Sequence, residues 1–104
     1  MIDKKYNYKY TFAMISDADK NAILDISKRF GAGEVLLFGS AAESDSPFND
    51  IDLGVSGIDP ESFFDFYGEL VMSLSKPVDL IDISKNNSFN RLIWREGIRL
   101  YVNS

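Results

Sequence analysis

Residues 35–53 read VLLFGSAAESDSPFNDIDL, two short apolar runs joined by a polar stretch, and no other segment constrains the fold of this chain as closely. A continuous apolar run of a few residues that stops at a glycine is the pattern of a strand buried on both faces. The first run ends at Gly39-Ser40, and after the nine residues 41–49 the second opens with Asp50-Ile51-Asp52. A small-residue turn that can approach phosphate groups therefore leads into a carboxylate pair that can face a divalent cation. Together the two ends of one loop would make both halves of a nucleotide site.

Around this segment helical and extended patterns alternate. Ser16 and Asp17 are capping residues, and Ala22, Ile23, Ile26 and Phe30 recur at helical spacing until Gly31 and Gly33, which predicts a helix over 17–30. Strands are expected over 35–38 and 51–55. Asp59-Pro60-Glu61 reads as a helix start, continued by Phe63, Phe64, Tyr67, Leu70, Val71 and Leu74 until Lys76-Pro77 breaks it. A third strand over 78–83, a last helix over 84–96 closed by Gly97, and a fourth strand over 98–102 complete the pattern. The expected fold class is α/β (α+β), one domain over 16–104 preceded by an N-terminal arm over 1–15, since 104 residues suit a single core. In the arm Lys4, Lys5 and Lys9 stand against Asp3, while Tyr6, Tyr8, Tyr10 and Phe12 alternate as in an extended segment. It reads as an edge strand or a cover for the core, with partner docking or base stacking as the functional alternative.

The residue types that are missing narrow the chemistry. The chain has no Cys and no His, which removes disulfides, thiolate nucleophiles, Ser-His triads and imidazole zinc sites. Carboxylates, Lys, Ser and Tyr must carry any reaction. A net charge of -5 argues against direct nucleic-acid binding, which draws on clustered Lys and Arg. No apolar run approaches the roughly 18 residues that span a bilayer, and residues 1–10 are too polar for a signal peptide. A cytoplasmic protein with no membrane partner is expected.

Asp50 and Asp52, two apart at the start of a strand, would share one face while Ile51, Leu53 and Val55 bury on the other. Carboxylates this close repel and raise one another's pKa unless a cation neutralises them. Mg²⁺ suits such a pair because it takes one or two carboxylates together with substrate phosphates. Taken alone, an Asp-x-Asp at a strand edge is more often a solvated turn, and a Gly after a buried strand more often a plain tight turn. The phosphate-binding version of Gly39-Ser40 would use backbone N–H groups, the Ser40 hydroxyl and the dipole of a helix starting at Ala41. A third acid interrupts the apolar run Val78-Asp79-Leu80-Ile81-Asp82-Ile83. Asp79 and Asp82, three apart, point to opposite faces, so at most one of them easily joins the pair, and Asp79, nearer the strand start, is the one chosen. Pairing of Asp79 with an Arg, or capping of a loop, is the structural alternative.

The series FGS, nine residues, DIDL and a later VDL resembles the nucleotidyltransferase superfamily that includes DNA polymerase β, and within it the minimal nucleotidyltransferase (MNT) domains. The likeness runs from the helix before VLLFGS to the closing Arg95-Glu96-Gly97-Ile98-Arg99-Leu100-Tyr101, similar to the family's EGxxLY ending. It implies a polymerase β-like fold with a mixed β-sheet of about four strands flanked by helices. It also implies two Mg²⁺ ions held by three acids, and transfer of a nucleoside monophosphate from ATP or another NTP to a hydroxyl. By position Gly39 and Ser40 match the phosphate-holding pair, Asp50 and Asp52 the ligands of both metals, and Asp79 the third catalytic acid. The resemblance further implies a small helical HEPN-like partner protein, in some systems a toxin that the MNT antitoxin adenylylates on tyrosine, and with it a homo- or hetero-oligomer.

The chain departs from the family where GSRARG is common, reading Gly39-Ser40-Ala41-Ala42-Glu43-Ser44 with neither basic residue, and Asn49 stands in place of the usual Ser. Two functions follow: an Mg²⁺-dependent nucleotidyltransferase, or an MNT-fold module that neutralises or scaffolds a HEPN-like partner without turnover. Phe63, Phe64, Phe66 and Tyr67 are more aromatic surface than one helix face buries, read either as core or as an interface. Trp94 reads as core or rim rather than a nucleotide platform.

Overall fold

The computed structural model describes residues 15–43 and 47–103. The arm expected over 1–15 therefore lies outside the described residues except for Ile15, which is buried in the core. Helix α1 (Asp17–Arg29) starts where Ser16 accepts a hydrogen bond from the Asp19 N–H at 3.0 Å, with Asp17 and Asp19 in its first turn and Lys28 and Arg29 in its last. Both ends match the helix dipole. There follow β1 (Glu34–Phe38), a 3₁₀ turn at Gly39–Ala42, β2 (Ile51–Ser56), α2 (Phe63–Ser73), β3 (Val78–Asp82), α3 (Ser88–Glu96) and β4 (Ile98–Val102).

The strands form one mixed sheet in the order β3-β2-β1-β4. Strand β1 pairs antiparallel with both β2 and β4, whereas β2 and β3, joined through α2, are parallel. A helical crossover is what allows consecutive strands to run the same way. Helices cover both faces. Ile51, Leu53 and Val55 are fully buried with Val35 and Leu37 against Ile23 and Ile26 of α1 and Phe66 and Leu70 of α2. On the other face Leu36, Ile83 and Ile93 form a smaller core under α3, joined by Phe38, Ile81 and Trp94. Gly54 permits that contact, since a Cβ there would lie 2.9 Å from Cγ2 of Ile83.

Three sequence expectations need correction. The last helix begins at Ser88 rather than residue 84. Asn87 caps it by accepting from the Asn90 N–H at 2.8 Å, and buried Asn90 donates from Nδ2 to the carbonyls of Asp82 and Lys85 at 3.2 and 2.9 Å. Those bonds hold the preceding residues as a loop. The Asp59-Pro60 start first makes a 3₁₀ turn (Pro60–Ser62), with Asp59 accepting from the Glu61 N–H at 3.1 Å. The helix expected from Ala41 is instead the short 3₁₀ turn that begins at Gly39. Of the aromatic cluster, Phe66 is fully buried, the Tyr67 hydroxyl donates to the Val78 carbonyl at 3.1 Å, and Phe64 remains exposed. Trp94 is a rim residue of the smaller core, its Nε1 donating to the Ile83 carbonyl at 3.0 Å.

Candidate active site

Burial of Ile51, Leu53 and Val55 on one face of β2 fixes Asp52 on the other, because a one-residue slip would send the whole apolar set to the wrong side. Asp52 pairs in register with Phe38 of β1 and with Asp79 of β3. Residues opposite one another in adjacent strands share a face, so Phe38, Asp52 and Asp79 form a row across three strands on the α3 side. Asp50 stands one residue before β2 and is exposed, as is Asp79, while Asp52 is half-buried. Asp82 is not part of the row; it accepts from the Ser84 N–H at 2.9 Å and closes the turn after β3.

The turn after β1 reaches the same place. Gly39 has φ of 71°, a left-handed conformation that side chains rarely adopt. A Cβ at Gly39 would collide with Oδ2 of Asp52, so the turn and the carboxylate lie directly against each other. Ser40 is exposed on this turn, and its carbonyl accepts from the Glu43 N–H at 3.1 Å. One short 3₁₀ turn supplies little dipole, so the phosphate-holding capacity of this end rests on local N–H groups and the Ser40 hydroxyl rather than on a helix.

Burial pushes the Asp52 carboxyl above its usual range, and the nearby charges of Asp79 and Asp50 push it further. All three acids are thus felt at one atom group. The donor set is purely carboxylate oxygen, which suits a hard cation such as Mg²⁺, and a cation would relieve the repulsion between Asp52 and its neighbouring acids. Among the described residues no group of three or more acids is gathered closely enough to cage an ion. The acids are neighbours without forming a closed ligand set.

A groove of about 420 Å³ opens beside Gly39, between the 3₁₀ turn and α3, lined by apolar Phe38, Phe89 and Leu92 together with Glu43 and Glu96. Sequence reasoning missed it. Its signal was the spacing of Phe89 and Leu92, three apart on a helix whose buried side is carried by Ile93.

The sequence profile of the family described as "Polymerase beta, Nucleotidyltransferase" matches residues 20–104. The chain belongs to this nucleotidyltransferase family. Solved structures share its fold. A toxin–antitoxin complex with AMP-PNP superposes with a TM-score of 0.66 at 22% identity, covering 81% of this chain and 73% of the other. The MntA-HepT toxin–antitoxin gives 0.63 at 19%, covering 85% and 74%. A complex of MNT antitoxin with tri-AMPylated HEPN toxin from Shewanella oneidensis gives 0.62 at 21%, covering 82% and 71%. No curated relative matches the sequence. Among the described residues no helix is long and apolar enough to cross a membrane.

Within this member of the nucleotidyltransferase family the residues that stand in place of basic ones have a structural context. Ala41 is fully buried in the main core, so its methyl packs inward and this position has no room for a basic side chain without repacking. Glu43 is exposed, and its negative charge stands beside the turn.

Proposed function

We propose that this domain transfers a nucleoside monophosphate, AMP from ATP in the first instance, to a hydroxyl of a partner protein or small molecule. The observation that carries this reading is the row of Asp52 and Asp79 with Gly39 packed against the Asp52 carboxylate. The acceptor oxygen forms a bond to the α-phosphorus as the bond to the leaving pyrophosphate breaks. Asp79 takes the acceptor's proton, and Gly39 and Ser40 hold the phosphates. Asp50, Asp52 and Asp79 would hold two Mg²⁺ ions, which when bound supply charge neutralisation at the attacking and leaving oxygens. The remaining catalysis is positioning. The AMP-PNP and tri-AMPylated complexes of the fold relatives support ATP as donor and a HEPN-like protein as partner for this chain.

A second reading has its own support. Ala41 and Glu43 in place of basic residues, together with acids that do not close on an ion, favour a module that neutralises or scaffolds a HEPN-like partner without turnover. Incubation with Mg²⁺, α-labelled ATP and the product of the neighbouring reading frame separates the two. Transfer of label, abolished in Asp50→Asn/Asp52→Asn, supports the enzyme. Stable partner binding with no label from any NTP removes that reading.

A further inference from the structure

Helix α2 carries three large apolar side chains that turn away from the core: Phe64 is 79% exposed, Met72 88% and Val71 48%. Grouped exposure of this kind marks an interaction surface more often than chance scatter. Positions 64, 68 and 72 fall on one helix face. The middle one is Gly68, where a Cβ would meet nothing within 4 Å and the backbone angle is an ordinary one. A mid-helix glycine weakens the helix relative to alanine, and among the described residues no neighbour uses the space it leaves. Phe64 and Met72 thus bound a slot about 12 Å long, floored by Gly68, since each residue advances a helix by about 1.5 Å. Its open volume is about 670 Å³, and Asp65 and Glu69 line it. Arg29 beside it is shared between Glu69 and Asp25, each at 3.0 Å, so one guanidinium meets two carboxylates, and Asp65 adds a third that keeps the rim acidic.

We propose that this face receives an α-helix of a second protein, with small apolar residues over Gly68 and Lys or Arg along its flanks. A ridge of side chains four apart fits the groove that such a ridge leaves on a facing helix, which selects a helix as the occupant. The acidic rim selects basic flanks. It also disfavours a second copy, which would set Asp65 and Glu69 against their own kind in a chain of net charge -5. Because α2 covers the opposite sheet face from Asp52, such a helix would dock without covering the carboxylate row. The proposal holds whether or not the domain transfers a nucleotide.

The test uses the full chain labelled with ¹⁵N and two synthetic amphipathic helices with the same Leu/Ala stripe, one flanked by Lys and one by Glu. The Lys peptide is expected to shift amide resonances along α2. Gly68→Leu, which fills the slot on the exposed side, should weaken that binding by about tenfold with the circular dichroism spectrum unchanged. Phe64→Ser/Met72→Ser should do the same. Absence of any shift, shifts confined to other elements, or equal binding of the Glu peptide would each overturn the proposal. So would a dimer in sedimentation that Gly68→Leu converts to monomer, which assigns the face to a second copy. A nitroxide on Tyr8→Cys that broadens α2 resonances in the free chain would assign it instead to the chain's own N-terminal residues.

Discussion

Asp52 is held where its own charge is unwelcome. Burial between β1 and β3 raises its pKa first, and Asp79 and Asp50 add to that. A carboxyl whose folded pKa lies above its unfolded value favours folding in the protonated form. Its contribution is therefore complete below the unfolded value, near 3.8, and is lost as pH rises through the higher folded value. In metal-free solution at pH 7, Asp52→Asn should melt at a higher temperature than the parent chain, with the gap closing as pH falls to about 3, below the usual carboxylate range. Thermal melts in EDTA at both pH values check this. A variant that melts lower at pH 7 would mean the Asp52 charge is favourably engaged and the picture of mutual repulsion is wrong. Gly39 answers to a different constraint. Gly39→Ala imposes a left-handed side-chain residue, at about 1–2 kcal/mol, and drives a methyl into the Asp52 carboxylate. Urea unfolding should register that loss, and stability equal to the parent would show that the turn can relax away from β2. These residues were legible because local spacing encodes them: a glycine ending an apolar run and acids two apart at the next strand's start are visible without any partner strand.

At the scale of elements, the four strands and three α-helices of the described residues were legible from apolar periodicity; the parity of Asp79 and Asp82 put them on opposite faces, and nearness to the strand start picked Asp79. Register was not legible. That Asp52 pairs with Asp79 depends on how α2 returns the chain parallel to β2, and no short window of sequence carries that information. The placement of β4 beside β1, and the groove between α3 and the Gly39 turn, depend on packing in the same way. The late start of α3 has a specific cause. Periodicity over 84–96 suits a helix, but Asn90 takes the carbonyls of Asp82 and Lys85 with its side chain and so stabilises a loop against one more helical turn. Asn90 is 3% exposed, so Asn90→Ala would remove the two hydrogen bonds its buried amide donates to the carbonyls of Asp82 and Lys85, at a cost of about 1–3 kcal/mol for the pair. Guanidinium unfolding should show a lower midpoint with an unchanged slope. An unchanged midpoint would mean water replaces the amide freely and that the loop is not held by it.

Over the whole molecule, 16 acidic residues outweigh 11 basic ones, and part of that excess is concentrated at one end of the sheet. Asp50, Asp52 and Asp79 lie along the strand edge, and Glu43 and Glu96 border the adjoining groove. Folding brings these like charges together, so the free chain should be less stable than its core alone would make it. A divalent cation binding the folded row and not the unfolded chain would reverse part of that loss. By mass action, Mg²⁺ at ten times its dissociation constant would add about 1.4 kcal/mol, and for a domain of this size that is a rise of about 5–10 °C in melting temperature. The measurement is a melt in Mg²⁺ against NaCl of equal ionic strength, since general screening also relieves surface repulsion over a distance of about 10 Å. Asp50→Asn/Asp52→Asn should start from a higher melting temperature and lose the Mg²⁺ increment while keeping the NaCl response. Equal rises in Mg²⁺ and NaCl for the parent chain would reduce the acidic edge to a diffuse field, and the three carboxylates would then have no claim to hold an ion in the absence of nucleotide.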